Sequence, residues 1–307
     1  MLDLSVFAHI EPIVMIFFSL SKRQPKRKMK VLFMNRKIAL LMIMCFICVF
    51  CSACVALPLN HPYAVLLGLN PEDASTLTSY QTVVIDAQYF TKEEIAAVQQ
   101  KGTAVYTYLN IGSIETFREG YDALKSCILS PYDNWPDEYW VDVSRQEWQT
   151  FIANEAKSLA EKGVDGFFLD NADVYYLYPS DAIYDSLNAI LQDLGQYEKP
   201  VLINGGDVFV TKAVLDAIEP NSVITGVNQE CVFTNINFDS GMLIRQDADN
   251  TAYYQDYLAR CKAAGLDVYL TEYAYSGNSV IKKIELYCIE NGFGYYVSPS
   301  INLDAKN

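Results

Sequence analysis

Two acidic residues, each closing a run of β-prone residues, are the strongest candidates for chemistry in this sequence of 307 residues. The first lies in GVDGFFLDNADVY (Gly163–Tyr175), where Phe167, Phe168 and Leu169 run straight into Asp170, Asn171 and Asp173. An apolar strand ending in charge must deliver that charge to a polar mouth, because burying it unpaired is costly. The second is Glu230, just beyond the run Ser222–Asn228. Two carboxylates on different strands of one sheet can hydrolyse an acetal: one protonates the departing oxygen and the other supports the developing oxocarbenium ion. Asp170 is expected to be the nucleophile and Glu230 the acid/base. The competing roles are a helix N-cap for Asp170 and a rim ion pair for Glu230. Glu272, in Leu270–Tyr275, is the rival second carboxylate. Asp173 suits capping or a supporting hydrogen bond, and Asp86 suits binding of an amino or hydroxyl group.

Other polar residues fall at comparable strand ends: Asn110 with Ser113 and Glu115, Asn171, and Asn204. Tyrosines stand beside the candidate acids, Tyr108 and Tyr273 among them, and such rings stack on the apolar C–H faces of sugars. Core packing is the competing explanation for most of them. The two histidines, His9 and His61, lie before the domain or at its edge. Serine–histidine hydrolysis and histidine-ligated zinc are thereby excluded from the domain. No glycine-rich phosphate loop and no metal-ligand spacing is present, so neither a nucleotide cofactor nor a metal is expected.

These acids need a frame that converges on one point. After Pro62 the chain alternates β-rich runs with helical stretches, which predicts a parallel sheet wrapped by helices. The runs are Ala64–Leu69, Thr82–Asp86, Ala104–Asn110, Gly166–Asp170, Val201–Asn204, Ser222–Asn228, Asp267–Thr271 and Gly294–Ser298. Eight is the number that closes a barrel. Helical spacing covers Lys92–Gln100, Arg145–Lys162, Ala182–Leu194, Val208–Ile218, Thr251–Ala264 and Ser279–Glu290, and glycines at 102, 163, 195, 265 and 292 sit where helix C-caps require them. The expected fold is α/β, a single (β/α)₈ TIM barrel over residues 63–307. Trp140–Val143 is a ninth strand candidate, either a barrel strand or an insertion, and a doubly wound open sheet is the alternative architecture.

Residues 1–62 read as a leader. Arg36 and Lys37 precede an apolar run from Ile38 to Leu59, and Cys51-Ser52-Ala53-Cys54 resembles a bacterial lipobox. A lipoprotein, a cleaved signal peptide and an uncleaved N-terminal membrane helix all fit, and all place the domain outside the cytoplasm. Beyond residue 53, 15 basic residues stand against 35 acidic ones, a net charge of −20. That charge repels nucleic acid and attracts cations, although solubility alone also accounts for it. Cys45, Cys48, Cys51 and Cys54 read as leader packing, while Cys127, Cys231, Cys261 and Cys288 permit one or two disulfides in an oxidising exterior.

Five segments together resemble family 114 of the glycoside hydrolases, the endo-α-1,4-polygalactosaminidases. They are YLNIGSIETFR (Tyr108–Arg118), YWVDVSRQEWQ (Tyr139–Gln149), GVDGFFLDNADVY, LINGG (Leu202–Gly206) and VNQECVF (Val227–Phe233). The resemblance covers about residues 63–300 and implies a (β/α)₈ fold, with Asp170 and Glu230 matching the family's catalytic Asp and Glu. It also implies that Glu115 and Arg118, otherwise an exposed i,i+3 pair, help form the site. The implied substrate is a cationic amino-sugar polymer, which an acidic mouth would suit. Ser113 departs from the pattern, standing where many members carry an acid. The alternatives are hydrolysis of another α-glycan and a barrel that binds glycan without cutting it. Only an enzyme requires a close carboxylate pair with a perturbed pKa.

Overall fold

The computed structural model describes residues 63–304. In chain order its strands are β1 (Tyr63–Val65), β2 (Thr82–Ile85), β3 (Ala104–Asn110), β4 (Ser113–Glu115), β5 (Ile128–Pro131), β6 (Glu138–Val141), β7 (Gly166–Asp170), β8 (Val201–Asn204), β9 (Gly226–Glu230), β10 (Thr234–Asn237), β11 (Met242–Arg245), β12 (Asp267–Tyr273) and β13 (Gly294–Ser298). Eight of them form one sheet in the order β1-β2-β3-β7-β8-β9-β12-β13. Every pairing within it is parallel. With β1 against β13 at the seam and helices outside, this is the expected (β/α)₈ barrel.

Parallel strands buried on both faces call for continuous apolar runs. Phe167-Phe168-Leu169 of β7 and Val201-Leu202-Ile203 of β8 meet that requirement and are almost completely buried. The wrapping helices are α1 (Lys92–Gln99), α2 (Gln146–Glu161), α3 (Asp181–Gly195), α4 (Ala248–Ala263) and α5 (Ser279–Asn291). Helix α1 starts on a capping box, with Thr91 and Glu94 satisfying each other's backbone N–H groups. Helix α2 buries Trp148, Ile152, Ala156 and Leu159 along one face. Trp148 Nε1 also donates to the Ile111 carbonyl at 3.0 Å, tying that helix to the loop that leaves β3.

Several expected boundaries move. Strand β1 ends at Val65 rather than Leu69, and β9 begins at Gly226 and reaches Glu230. A Cβ at Gly226 would lie 2.6 Å from the Asp267 carbonyl, so this stretch of β9 is the part that packs closely on β12. Trp140–Val143 is not a barrel strand. Its residues Trp140 and Val141 belong to β6, which joins β4 and β5 in a small antiparallel sheet inserted after β3. A second insertion, the β10–β11 hairpin, follows β9. Gly102, Gly163, Gly265 and Gly292 take the positive φ expected of caps, but Gly195 stays helical. Its missing side chain instead admits Val223, whose Cγ2 would stand 3.2 Å from a Cβ there. The expected helix Val208–Ile218 is a short α-helix, Asp207–Val210, running into a π-turn, Thr211–Leu215.

Cys127, Cys231, Cys261 and Cys288 are all free thiols, so no disulfide links the described residues. Among those residues no helix is long and apolar enough to cross a membrane. The leader, its lipobox-like segment and Cys45, Cys48, Cys51 and Cys54 lie outside the described residues.

Candidate active site

Strands β7, β8 and β9 are consecutive neighbours in the barrel and end in Asp170, Asn204 and Glu230. The central amide joins the outer two: Asn204 Nδ2 donates to Asp170 Oδ1 at 2.9 Å and to Glu230 Oε1 at 2.8 Å. Two oxygens within reach of one nitrogen lie less than about 6 Å apart. The adjacency of β7, β8 and β9 in the sheet therefore makes close neighbours of acids far apart in the chain.

Asp170 Oδ1 also accepts from the Asn171 N–H at 3.0 Å, and Glu230 Oε2 accepts from Tyr273 Oη at 2.6 Å. Burial, and after it the Glu230 charge, holds the Asp170 carboxyl well above the usual carboxylate range, against the opposing pull of Asn204. The same two causes push the Tyr273 phenol up, so it remains a donor. Neither expected capping role is realised, since the short helix Val174–Leu177 has Asp173 at its N-cap position with no side-chain cap bond. Asp173 instead accepts from the Gly206 N–H at 3.0 Å, and burial raises its carboxyl to about 6. Gly205 and Gly206 have φ of 61° and 60°, and a Cβ on Gly205 would lie 2.8 Å from Asp173 Oδ2. A glycine pair is the residue choice that lets this backbone fold over the carboxylate.

A polar layer supports the pair from the β3 side. Asn171 (φ 65°) turns its amide back to donate to Ser113 Oγ at 2.8 Å and to Glu138 Oε1 at 3.0 Å. Asn110 donates to the same two acceptors, and Ser113 Oγ donates to Glu138 in a short hydrogen bond. Gly112 makes the approach possible, because a Cβ there would fall 1.9 Å from the Asn171 carbonyl oxygen. A carboxylate from the neighbouring strand β6 thus stands against Ser113. Burial, with the Glu115 charge adding to it, raises Glu138 against the pull of its hydrogen bonds.

Arg118 forms the third group. It reaches Asp86 Oδ2 at 2.7 Å and Glu115 Oε1 at 3.1 Å, and its guanidinium lies over the rings of Tyr108 and Phe117. Glu115 is buried and Arg118 largely so, in place of the exposed pair that their spacing alone suggested. Asp86 is pushed up by burial, which outweighs Arg118.

Together these residues line a cleft of about 790 Å³ at the C-terminal mouth of the barrel. Asp86, Tyr108, Glu115, Arg118, Asn171, Asp173, Asn204 and Tyr273 join Asp170 and Glu230 in its wall. Asn110 stands behind it, against Ser113 and Glu138. Glu272 does not reach it: its carboxylate accepts from the Phe233 and Thr234 N–H groups, both at 2.9 Å, and anchors the loop beyond Glu230. The rival role for Glu272 is therefore set aside. Glu138, Tyr132, Trp135 and Phe238 also line the cleft, and none of them stood out in the sequence. The signal available for Glu138 was its place one residue before the YWVDVSRQEWQ segment. Among the described lining residues seven acids face one base, Arg118. Trp135 and Phe238, one from each insertion, meet edge-to-face with ring centroids 6.0 Å apart.

A (β/α)₈ barrel with carboxylates gathered at its strand ends defines the class of fold and site. The model of Glycoside-hydrolase family GH114 matches residues 57–196, somewhat under half of the chain, a span that includes Asp170 and stops short of Glu230. Similar solved structures include the glycoside hydrolase domain of PelA from Pseudomonas aeruginosa, with 18% identity and a TM-score of 0.68, covering 79% of this chain and 95% of that one. Another is Aspergillus fumigatus Ega3 in complex with galactosamine, with 18% identity and a TM-score of 0.63, covering 80% of this chain and 93% of that one. No curated protein matches the chain in sequence.

Proposed function

We propose that this protein cleaves α-1,4-linked galactosamine-rich polysaccharide with retention of configuration, using Asp170 as nucleophile and Glu230 as acid/base. The observation that carries the reading is the single Asn204 nitrogen bonded to both acids. A retaining enzyme needs carboxyl groups about 5–5.5 Å apart, whereas inversion needs about 6.5–9.5 Å to admit a water. The shared amide holds Asp170 Oδ1 and Glu230 Oε1 within about 6 Å of each other, which supports the shorter, retaining separation.

Both donors that reach Asp170 bind Oδ1, which leaves Oδ2 for the anomeric carbon. Attack forms the Oδ2–C1 bond as the C1–O glycosidic bond breaks, and the departing oxygen takes a proton from Glu230. Water then returns that proton to Glu230 while its oxygen displaces Asp170 from C1. Burial raises the Asp170 carboxyl, so Asp170 must give up its proton before it attacks. The excess of acids over bases in the cleft supports a cationic amino sugar as substrate, and the bound galactosamine in Ega3 supports the same class. The layout of residues 1–62 supports a location outside the cytoplasm, held by a lipid anchor or membrane helix or released after cleavage.

Azide rescue separates the two roles. In Asp170→Ala, azide should restore cleavage and give a glycosyl azide of inverted configuration; in Glu230→Ala it should give the retained product. The reverse pattern would exchange the assignments, and inverted hydrolysis product from the unaltered protein would refute retention.

A further inference from the structure

Beneath the two acids, a ladder of side chains crosses the barrel interior with all its donors pointing the same way. Asn204 spends both amide hydrogens on Asp170 and Glu230, so its Oδ1 faces down into the barrel. Asn228 Nδ2 donates to that oxygen at 2.7 Å. Asn228 lies two residues before Glu230 on β9, hence on the same strand face, and is fully buried. Its own Oδ1 accepts from Thr271 Oγ1 on β12 at 3.0 Å and from Tyr63 Oη on β1 at 3.1 Å. Strands from opposite parts of the chain thus converge on one asparagine.

The polarity of this ladder is forced. Asp170 Oδ1 and Glu230 Oε1 both accept here, so Asn204 presents its NH₂ upward, Asn228 presents its NH₂ to Asn204, and the two hydroxyls donate to Asn228. Reversing either amide would set oxygen against oxygen in a buried space, where an unmade hydrogen bond costs the full desolvation of the group. From this geometry we infer that Asn228 is a positioning residue for the acid pair: it locks the Asn204 amide in the one orientation that gives each acid an N–H donor. The inference rests on the proposed pairing of Asp170 with Glu230. Tyr63 and Thr271 extend the lock to strands that carry neither acid.

Asn228→Leu and Asn228→Asp test it. The titratable groups around the position are Tyr63 on β1, Tyr269 on β12 beside the Tyr63 ring, and Asp170 and Glu230 above. In Asn228→Leu the Asn204 amide loses the donor that fixes it, so kcat should fall by about 10–100-fold, as when a residue orienting a site ligand is removed, while KM stays within about twofold. A buried introduced carboxyl in Asn228→Asp can donate only while protonated. That variant should work at low pH and lose activity, on a limb absent from the unaltered protein, as the carboxyl ionises. Carboxyl ¹³C NMR gives a readout independent of turnover: losing the oriented N–H donor, which lowers Asp170 in the unaltered protein, should move the Asp170 titration upward in Asn228→Leu. Folded variants with unchanged Asp170 titration and an unchanged pH profile would overturn the inference. If Asn228→Leu does not fold, an unchanged profile in Asn228→Asp overturns it alone. Asp170→Asn and Glu230→Gln keep the two readings apart: full activity in those variants removes the pair itself, whereas their inactivity beside normal Asn228 variants removes only the lock.

Discussion

Replacing Arg118 with methionine distinguishes a buried charge cluster from a surface pair. As an exposed i,i+3 partner of Glu115, Arg118 would contribute at most about 1 kcal/mol. The structure instead leaves the side chains of Arg118, Asp86 and Glu115 only 10%, 6% and 12% exposed. Removing the one cation leaves two carboxylates uncompensated, and breaking such a pair costs about 3–5 kcal/mol. At about 2–4 °C per kcal/mol for a domain of this size, the melting temperature should fall by roughly 6–20 °C near neutral pH. Burial already pushes Asp86 up, and without Arg118 it rises further. Its protonation then removes one of the two uncompensated charges, so the gap between variant and parent should narrow as pH falls from 7 towards 4. Calorimetry at both pH values measures this directly. A difference under about 1 kcal/mol at neutral pH, or one that widens on acidification, would refute the buried-cluster argument.

Other outcomes follow from the same geometry. Asn204→Ala removes two hydrogen bonds to acids, each worth about 1.5–3 kcal/mol, so kcat/KM should fall by about 100-fold or more; a loss under threefold contradicts the bridging role. Glu138→Gln keeps the supporting layer's shape but removes a cleft carboxylate. It should therefore lower kcat/KM on de-N-acetylated polymer by about tenfold, with little change on acetylated polymer, and equal losses on both would contradict a role for its charge. Because burial raises the Asp170 carboxyl, its titration, followed by carboxyl ¹³C NMR, should fall above the ordinary carboxylate range of about 4; a titration of Asp170 at or below about 4 would contradict the raised value.

Much of the barrel is legible in residue order because a buried parallel strand demands an unbroken apolar run, and Phe167–Leu169 and Val201–Ile203 supply two. The acid closing β7 is legible for the same reason, being an abrupt charge after such a run, whereas Glu230 follows the polar Asn228 and Gln229 and is marked only by its place just beyond a β-prone stretch. What strand ends do not reveal is pleat. Thr271 and Tyr273 of β12 face Asn228 and Glu230, so Glu272 between them points away, toward the loop at Phe233 and Thr234. The insertions are less legible still. Tyr132, Trp135 and Glu138 come from an irregular stretch broken by Pro131 and Pro136, where neither the helical nor the strand period applies. Glu138 reaches the site through antiparallel pairing of β6 with β4, a long-range register that local pattern does not encode. The Asn204–Asn228 contact likewise depends on a register between β8 and β9 that only the closed sheet sets.

Reducing-end release from polygalactosamine by the purified protein, beside Asp170→Asn and Glu230→Gln, tests the paired-carboxylate claim most directly. The unaltered protein should generate new ends from de-N-acetylated polymer, and each variant should lose nearly all of that activity while remaining folded. Equal product from all three would contradict the assignment, and polymer binding without any new ends would make the barrel a glycan-binding protein instead.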